Sequence, residues 1–185
     1  MSERVAVFID GGYLERIGKD EFPGITIDFS KLSDKMAFGF PHLRTYYYNC
    51  LPYQSNPATA DEKSRFANKQ RFYHALEGLN HFNVRLGKLK YRGLDSSGNP
   101  IFEQKGVDVY LATDLVLLST KHLITHASLL TADTDFLPAF KVAQDEGVVI
   151  KLYHSAKMGN ANDLWQCADE RVVIDSNFMQ NIKSS

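Results

Sequence analysis

Ser128-Leu129-Leu130-Thr131-Ala132-Asp133-Thr134-Asp135-Phe136 decides the fold of this chain. Its apolar start is a strand, and two acids follow at once, leading into a helical pattern. A buried strand ending in this way delivers two carboxylates to one end of a sheet, where open α/β folds bind their ligands. Val5-Ala6-Val7-Phe8-Ile9 ends in the same manner, in Asp10-Gly11-Gly12. If the two strands are parallel neighbours, three carboxylates converge. Like charges raise one another's pKa and cost stability, and a hard divalent cation is the usual relief.

Working outward, short apolar runs alternate with longer helical patterns, the mark of an α/β fold with a mainly parallel central sheet. Strands are expected at Arg4–Ile9, Leu43–Tyr48, Val84–Leu89, Leu129–Ala132 and Val148–Tyr153, with Arg171–Ile174 also extended. Tyr46-Tyr47-Tyr48 is too bulky and β-favouring for a helix. Residues 11–40 are mixed, with a loop at Phe22-Pro23-Gly24 and a helix over Phe29–Phe38. Asp61 can cap a helix reaching about Leu79. The turn formers Gly93 to Pro100 join Val84–Leu89 to Ile101–Gln104 as a hairpin. Further helices are expected at Val107–Thr120, Phe136–Glu146, Asn162–Ala168 and Ser176–Ile182.

The helix Val107–Thr120 supplies a fourth acid. Val107, Leu111, Leu115 and Leu118 fall on one apolar stripe at 3.6-residue spacing, flanked by Asp108 and Asp114 on opposite sides. These two acids are separated by roughly 9 Å along the axis at 1.5 Å per residue, too far to share one ion. A helix feeding a parallel strand runs antiparallel to it, so its N-terminus lies beside the carboxyl ends of the strands. Asp108 therefore joins Asp10, Asp133 and Asp135, whereas Asp114 points to the middle of the layer in a supporting, hydrogen-bonded role. Each acid also has a plain structural reading: Asp10 as a turn residue, Asp133 or Asp135 as a helix cap, Asp108 as a first-turn acid. Their conjunction at one edge is what asks for a metal. Four carboxylates without a Cys or His cluster select Mg²⁺ or Mn²⁺ over zinc, a site able to activate water and clamp a phosphodiester.

Bulk properties narrow the alternatives. The 185 residues suit one domain, with 44% hydrophobic and 23% charged residues, an ordinary globular composition. A net charge of −1 gives no overall basic field, so a nucleic acid must be held by a local patch. Cys50 and Cys167 lack metal spacing and read as buried thiols of a reducing, cytoplasmic compartment. The N-terminus shows no signal peptide, and no apolar run approaches the ~18–20 residues that span a membrane. A Walker loop, a dinucleotide fingerprint and a Gly-x-Ser-x-Gly elbow are all missing, and the six histidines show no ligand pairing.

Basic residues group in two places. Lys63, Arg65, Lys69 and Arg71 line one helix, while Lys88, Lys90, Arg92 and Lys105 bracket the hairpin just before Asp108. Tyr47, Tyr53, Tyr91 and Phe102 offer base-stacking surfaces, Tyr91 lying between Lys90 and Arg92.

Three blocks together resemble the NYN domain, in particular its bacterial LabA-like branch: Val7-Phe8-Ile9-Asp10-Gly11-Gly12-Tyr13-Leu14, then Lys105 to Leu115, then Leu130 to Pro138. Asp163-Leu164-Trp165-Gln166-Cys167-Ala168-Asp169 resembles the closing helix of the same family. The resemblance implies a PIN-like three-layer α/β/α sandwich and a metal-dependent ribonuclease site. It assigns Asp10, Asp108, Asp133 and Asp135 as metal-binding acids, with Asp114 in support, and Thr131 and Thr134 beside these acids are taken as further supporting residues. Three departures stand out. Tyr13 takes a place where the family often has Asn, Thr131-Ala132-Asp133-Thr134-Asp135 replaces a common Ser-Gly-Asp-Ser-Asp, and Asn160-Ala161-Asn162 stands where a Ser is common.

The reading is a metal-dependent nuclease acting on single-stranded RNA, with Lys88, Lys90, Tyr91, Arg92 and Lys105 contacting the strand, or, for Lys105, a structural pairing with one of the acids. Its rival is a non-catalytic RNA-binding or regulatory adaptor on the same fold, with a second copy or another protein as partner. An aspartyl phosphatase fits less well, because Gly12 occupies the place two residues after Asp10 where that chemistry commonly needs an acid.

Overall fold

The computed structural model describes residues 3–158 and 162–184. Seven strands form one sheet: β1 (Val5–Asp10), β2 (His42–Cys50), β3 (Phe82–Leu94), β4 (Pro100–Lys105), β5 (His126–Leu130), β6 (Val149–Ser155) and β7 (Glu170–Ile174). Their order across the sheet is β4-β3-β2-β1-β5-β6-β7. Every pairing is parallel except β3 with β4. From β1 the chain builds outward to β4, then returns to the other side of β1 with β5. The point of reversal therefore lies between β1 and β5, which pair with Ile9 opposite Leu130. Asp10 and Thr131 follow at the carboxyl ends, so the two acid-ending strands are parallel neighbours, the condition on which the convergence of the acids depends.

The continuous apolar reading of β1 follows from burial on both faces, as in parallel sheets generally. Val5, Ala6, Val7, Phe8 and Ile9 are completely inaccessible. Ala6 and Phe8 pack in a core with α4 (Val107–Thr120), α5 (Leu137–Asp145) and α6 (Asp163–Cys167). Val7 and Ile9 pack in a second core with α1 (Gly11–Asp20), α2 (Phe29–Ala37), α3 (Ala60–Glu77) and α7 (Ser176–Asn181). Each fully buried Phe, Ile or Leu contributes roughly 1.5–3 kcal/mol, so this central strand anchors both helical groups.

Several expectations need correction. Residues 11–20 form a helix rather than a mixed segment, and α1 starts with no intervening loop. Asp10 is its N-cap, accepting the Tyr13 N–H at 3.0 Å, and Tyr13, Leu14 and Ile17 bury one face. The pair Gly11-Gly12 reads as a turn, but Gly11 is needed for close approach: a Cβ there would stand 2.5 Å from the Tyr47 ring. The cap of α3 is Thr59, in a reciprocal box with Glu62, not Asp61. β3 continues beyond Leu89 to Leu94 and pairs with β4, giving a longer hairpin than expected. A short 3-10 turn at Thr134–Phe136 precedes α5. Tyr47 is fully buried and offers no stacking surface. Cys50 is buried, Cys167 only partly so, and both are free thiols. Asn160 and Ala161 lie outside the described residues. Among those described, no helix is long and apolar enough to cross a membrane.

Candidate functional site

The carboxyl ends of β1 and β5 open into a cleft of about 410 Å³. Asp10, Asp108 and Asp133 line it, together with Tyr13, Arg16 and Gln104. Three elements bring the acids there. β1 carries Asp10 on its last residue, α4 carries Asp108 on its first turn, and the turn after β5 carries Asp133. The direction argued for α4 from the sequence is the one observed.

Local hydrogen bonds fix two of these carboxylates. Asp10 Oδ1 accepts the Tyr13 N–H as helix cap, and its Oδ2 lies 3.4 Å from the Thr131 hydroxyl, which donates to it. Thr131 Oγ1 in turn accepts the Asp133 N–H at 3.2 Å, so one buried threonine couples the ends of β1 and β5. Asp133 Oδ1 accepts the Asp135 N–H at 3.0 Å and so caps the 3-10 turn. The structural roles of Asp10 and Asp133 are real, and they hold each carboxylate in place at the cleft. Asp135 is exposed and does not line it, although its charge reaches Asp108. Thr134 opens the 3-10 turn on the exposed side.

The electrostatics are those of crowded like charges. Burial raises the Asp10 carboxyl above its ordinary range, the Tyr13 and Thr131 hydrogen bonds partly offset this, and the charge of Asp108 raises it further. Asp108 is itself raised, by burial first and then by Asp133 and Asp135. A divalent cation would relieve this repulsion, and the oxygen donors are of the type that hard cations take. Among the described residues, however, no three His, Cys, Asp or Glu side chains are arranged so that they could hold one ion. The acids share a cleft without closing on a single point.

Asp114 lies away from the cleft, as expected, and serves the sheet. Its Oδ2 accepts from the Tyr48 hydroxyl at 3.0 Å and from Arg85 Nε at 3.2 Å.

The hairpin basic group is rearranged relative to expectation. In an antiparallel pair, directly opposite residues share a face, and successive residues alternate. Lys88 opposes Lys105, Lys90 opposes Glu103, and Tyr91 opposes Phe102. Lys88 and Lys90 therefore share one face, Arg92 joins it through its ion pair with Glu103, and Tyr91 lies on the other, against Tyr53 and Phe102. Arg92 and Lys105 are both ion-paired with Glu103. Lys88 and Lys90 are exposed and form no ion pair among the described residues. On the other basic surface, Arg65 pairs with Asp61 and Lys69 with Glu15.

Two lining residues escaped the sequence reading. Gln104, at the end of β4, reaches the cleft above Gly12, where a Cβ would stand 3.9 Å from its Nε2. Arg16 reaches it from the second turn of α1. The helical spacing of Arg16 from Gly12 would have indicated it, had α1 been recognised.

Comparisons with known proteins agree with this picture. A solved structure of a protein of unknown function, VPA0982 from Vibrio parahaemolyticus, superposes with a TM-score of 0.65 at 18% identity, covering 96% of each chain, which shows a shared fold. A protein of Sinorhizobium fredii, described as "Uncharacterized protein y4oD", is 31% identical over 97 residues. That match takes in 51% of this chain and 41% of the relative's length. The family model of the NYN domain matches residues 4–175, and the chain belongs to the NYN domain family.

Proposed function

We propose that this chain is a metal-dependent ribonuclease, a single NYN domain of PIN-like three-layer α/β/α architecture within the LabA-like branch, acting in the bacterial cytoplasm. The observation that carries the reading is the meeting of Asp10, Asp108 and Asp133 in one cleft at the switch point of the sheet. Family membership supports it, since the NYN domain implies a PIN-like nuclease relationship.

Asp10, Asp108 and Asp133, which share the cleft without closing on one point, would have to draw together to hold Mg²⁺ or Mn²⁺, with the exposed Asp135 as the fourth acid of the proposed set. When bound, the cation supplies Lewis acidity toward water and positive charge against the scissile phosphate. Thr131 keeps the Asp10 carboxylate aimed into the cleft and links it to Asp133. Gln104 offers an amide to a ribose or phosphate oxygen at the cleft wall. Lys88 and Lys90 attract the strand from the hairpin, and Arg92 and Lys105 contribute once Glu103 releases them.

The decisive experiment is a time course on end-labelled single-stranded RNA with Mn²⁺, Mg²⁺ or EDTA, using wild type and Asp133→Asn. Metal-dependent cleavage by wild type that is lost in the variant supports the reading. Equal cleavage by both, or cleavage that survives EDTA, overturns it. A second reading, an RNA-binding adaptor, is favoured by one observation: no three of the described acids are arranged to hold an ion. RNA binding without cleavage in any metal decides for it.

A further inference from the structure

The acid cleft continues beyond Tyr13. A second cavity of about 400 Å³ adjoins it, sharing Tyr13, Arg16 and Ala132 as common wall. Among the described residues, its far side is made by Ser155, Lys157, Met158 and Asn162. The wall is built rather than incidental. Tyr13 is buried, and its hydroxyl accepts the Ser155 N–H at 3.0 Å, which ties α1 to the end of β6. Ser155 Oγ donates to Glu21 and accepts the Lys157 N–H at 3.0 Å. Two segments of chain, α1 with its capping residue Glu21 and the end of β6 through Lys157, are therefore tied together by hydrogen bonds along this wall.

Arg16 stands at the junction and faces both spaces. Its guanidinium carbon lies 5.9 Å from the Tyr13 ring centroid, within cation–π reach. Among the described residues Arg16 forms no ion pair, although Asp10 and Asp133 line one of its cavities and Asp20 and Glu21 the other. Arg16 is exposed, and an arginine that pairs with none of the acids lining its two cavities retains its full fork of donors for an incoming anion. That fork matches a phosphate, and Lys157 adds a second cation on the opposite wall. The cavity size suits a small ligand, and its surface mixes apolar Met158 and Tyr13 with polar groups, as a base joined to a sugar and phosphate requires.

We infer that this side cavity takes the nucleotide adjoining the scissile bond of a single strand, with Arg16 gripping the phosphate that links it to the acid cleft. The inference rests on the proposed action on RNA. It adds a direction for the strand, which runs from the acids over Tyr13 toward Lys157.

The test is equilibrium binding of a short fluorescent single-stranded oligoribonucleotide, followed by anisotropy with EDTA and with Ca²⁺ over a salt series. Arg16→Ala should weaken binding roughly tenfold and lower the salt slope by about 0.7, the value for one phosphate contact on a single strand. Arg16→Lys should keep the slope while losing part of the affinity, because the charge stays and the fork is lost. Lys157→Ala changes an exposed side chain and should also weaken binding, so it decides the matter if melting shows Arg16→Ala to be misfolded. Wild-type affinity and slope in both Ala variants overturn the inference, whatever the cleavage assay gives. Normal cleavage by wild type with unaffected binding by the variants leaves the ribonuclease reading standing and removes the cavity from it. Weakened binding by the variants without any cleavage by wild type does the reverse. Failure of wild type to bind the strand at all overturns both.

Discussion

The Tyr48 hydroxyl and the Arg85 guanidinium both donate to one oxygen of Asp114, at 3.0 and 3.2 Å. A single carboxylate on α4 thereby fastens the helix to β2 and β3, two neighbouring strands of the sheet. Tyr48 is fully buried, and its phenol is held well above its ordinary pKa, by burial first and then by the charge of Asp114. Asp114→Ala leaves that hydroxyl without its acceptor and should lower stability by about 1–3 kcal/mol in chemical denaturation. An unchanged midpoint would show that the contact is idle.

Asp108, six residues earlier on the same helix, should behave in the opposite way. Its carboxyl is raised by burial and by Asp133 and Asp135, so its charge opposes folding at neutral pH. Asp108→Asn should leave the melting temperature unchanged or higher while abolishing metal-dependent cleavage and strongly reducing the heat of Mn²⁺ titration. Loss of stability with activity retained would exchange the roles of the two acids.

This division between Asp108 and Asp114 was legible in the sequence, because it follows from the 100° turn of a helix and the antiparallel course of a crossover. That β1 and β5 are short apolar strands ending in acids was equally legible, whereas their pairing entered only as a condition that the sheet order fulfils. α1 was not legible, because Gly11-Gly12 imitates a turn, and only the tight approach of Tyr47 explains the glycine at the first helical position, Gly11. Arg16 was lost with this helix, whereas Gln104 lies on an expected hairpin strand and meets the acids only through tertiary structure. Tyr91 is a different case. The pleat alone places it on the face opposite Lys90 and Arg92, so grouping all three as one surface ignored a period that the sequence already contains.

Gly87 should prove as sensitive as any acid. A Cβ at this position would stand 2.6 Å from the carbonyl oxygen of Lys105 and 2.6 Å from Val107 Cγ2. The carbonyl belongs to backbone and cannot swing aside, and the segment it would displace leads directly to Asp108. Gly87→Ala should cost about 1–3 kcal/mol through overpacking and also weaken Mn²⁺ binding. A stable variant with normal metal affinity would mean that the hairpin does not position α4.

Two histidines remote from the acids should set the response to acid. His42 is depressed by burial and then by the neighbouring His81, and His126, packed against Phe38 and Phe40, is depressed chiefly by burial. Their folded pKa values lie below the ordinary 6.5. The unfolded chain then binds more protons in the window below 6.5, so stability is fully present above it and falls as pH drops through it. His42→Gln and His126→Gln should each flatten that fall in melting curves taken across the window. A wild-type profile that is already flat there would count against both assignments.

The final prediction concerns which cations of the hairpin meet RNA. Glu103 engages both Arg92 and Lys105, whereas Lys88 and Lys90 are exposed and lack an ion pair among the described residues. A cation already neutralised by a carboxylate gains little from a phosphate unless that carboxylate gives way. Binding to single strands should weaken with salt at a slope of about 0.7 per phosphate contacted. Replacing Lys88 and Lys90 together with Ala should therefore reduce the slope clearly, and replacing Arg92 and Lys105 should reduce it less. Glu103→Gln frees two cations and should steepen the slope and tighten binding. Tyr91→Ala, on the other face, should leave the slope alone and affect affinity only if bases stack against Tyr53 and Phe102, where removal of a ring costs about 1–3 kcal/mol. A slope unchanged by every hairpin variant would move the entry path of the strand to α3, where Lys63 lies on the exposed surface.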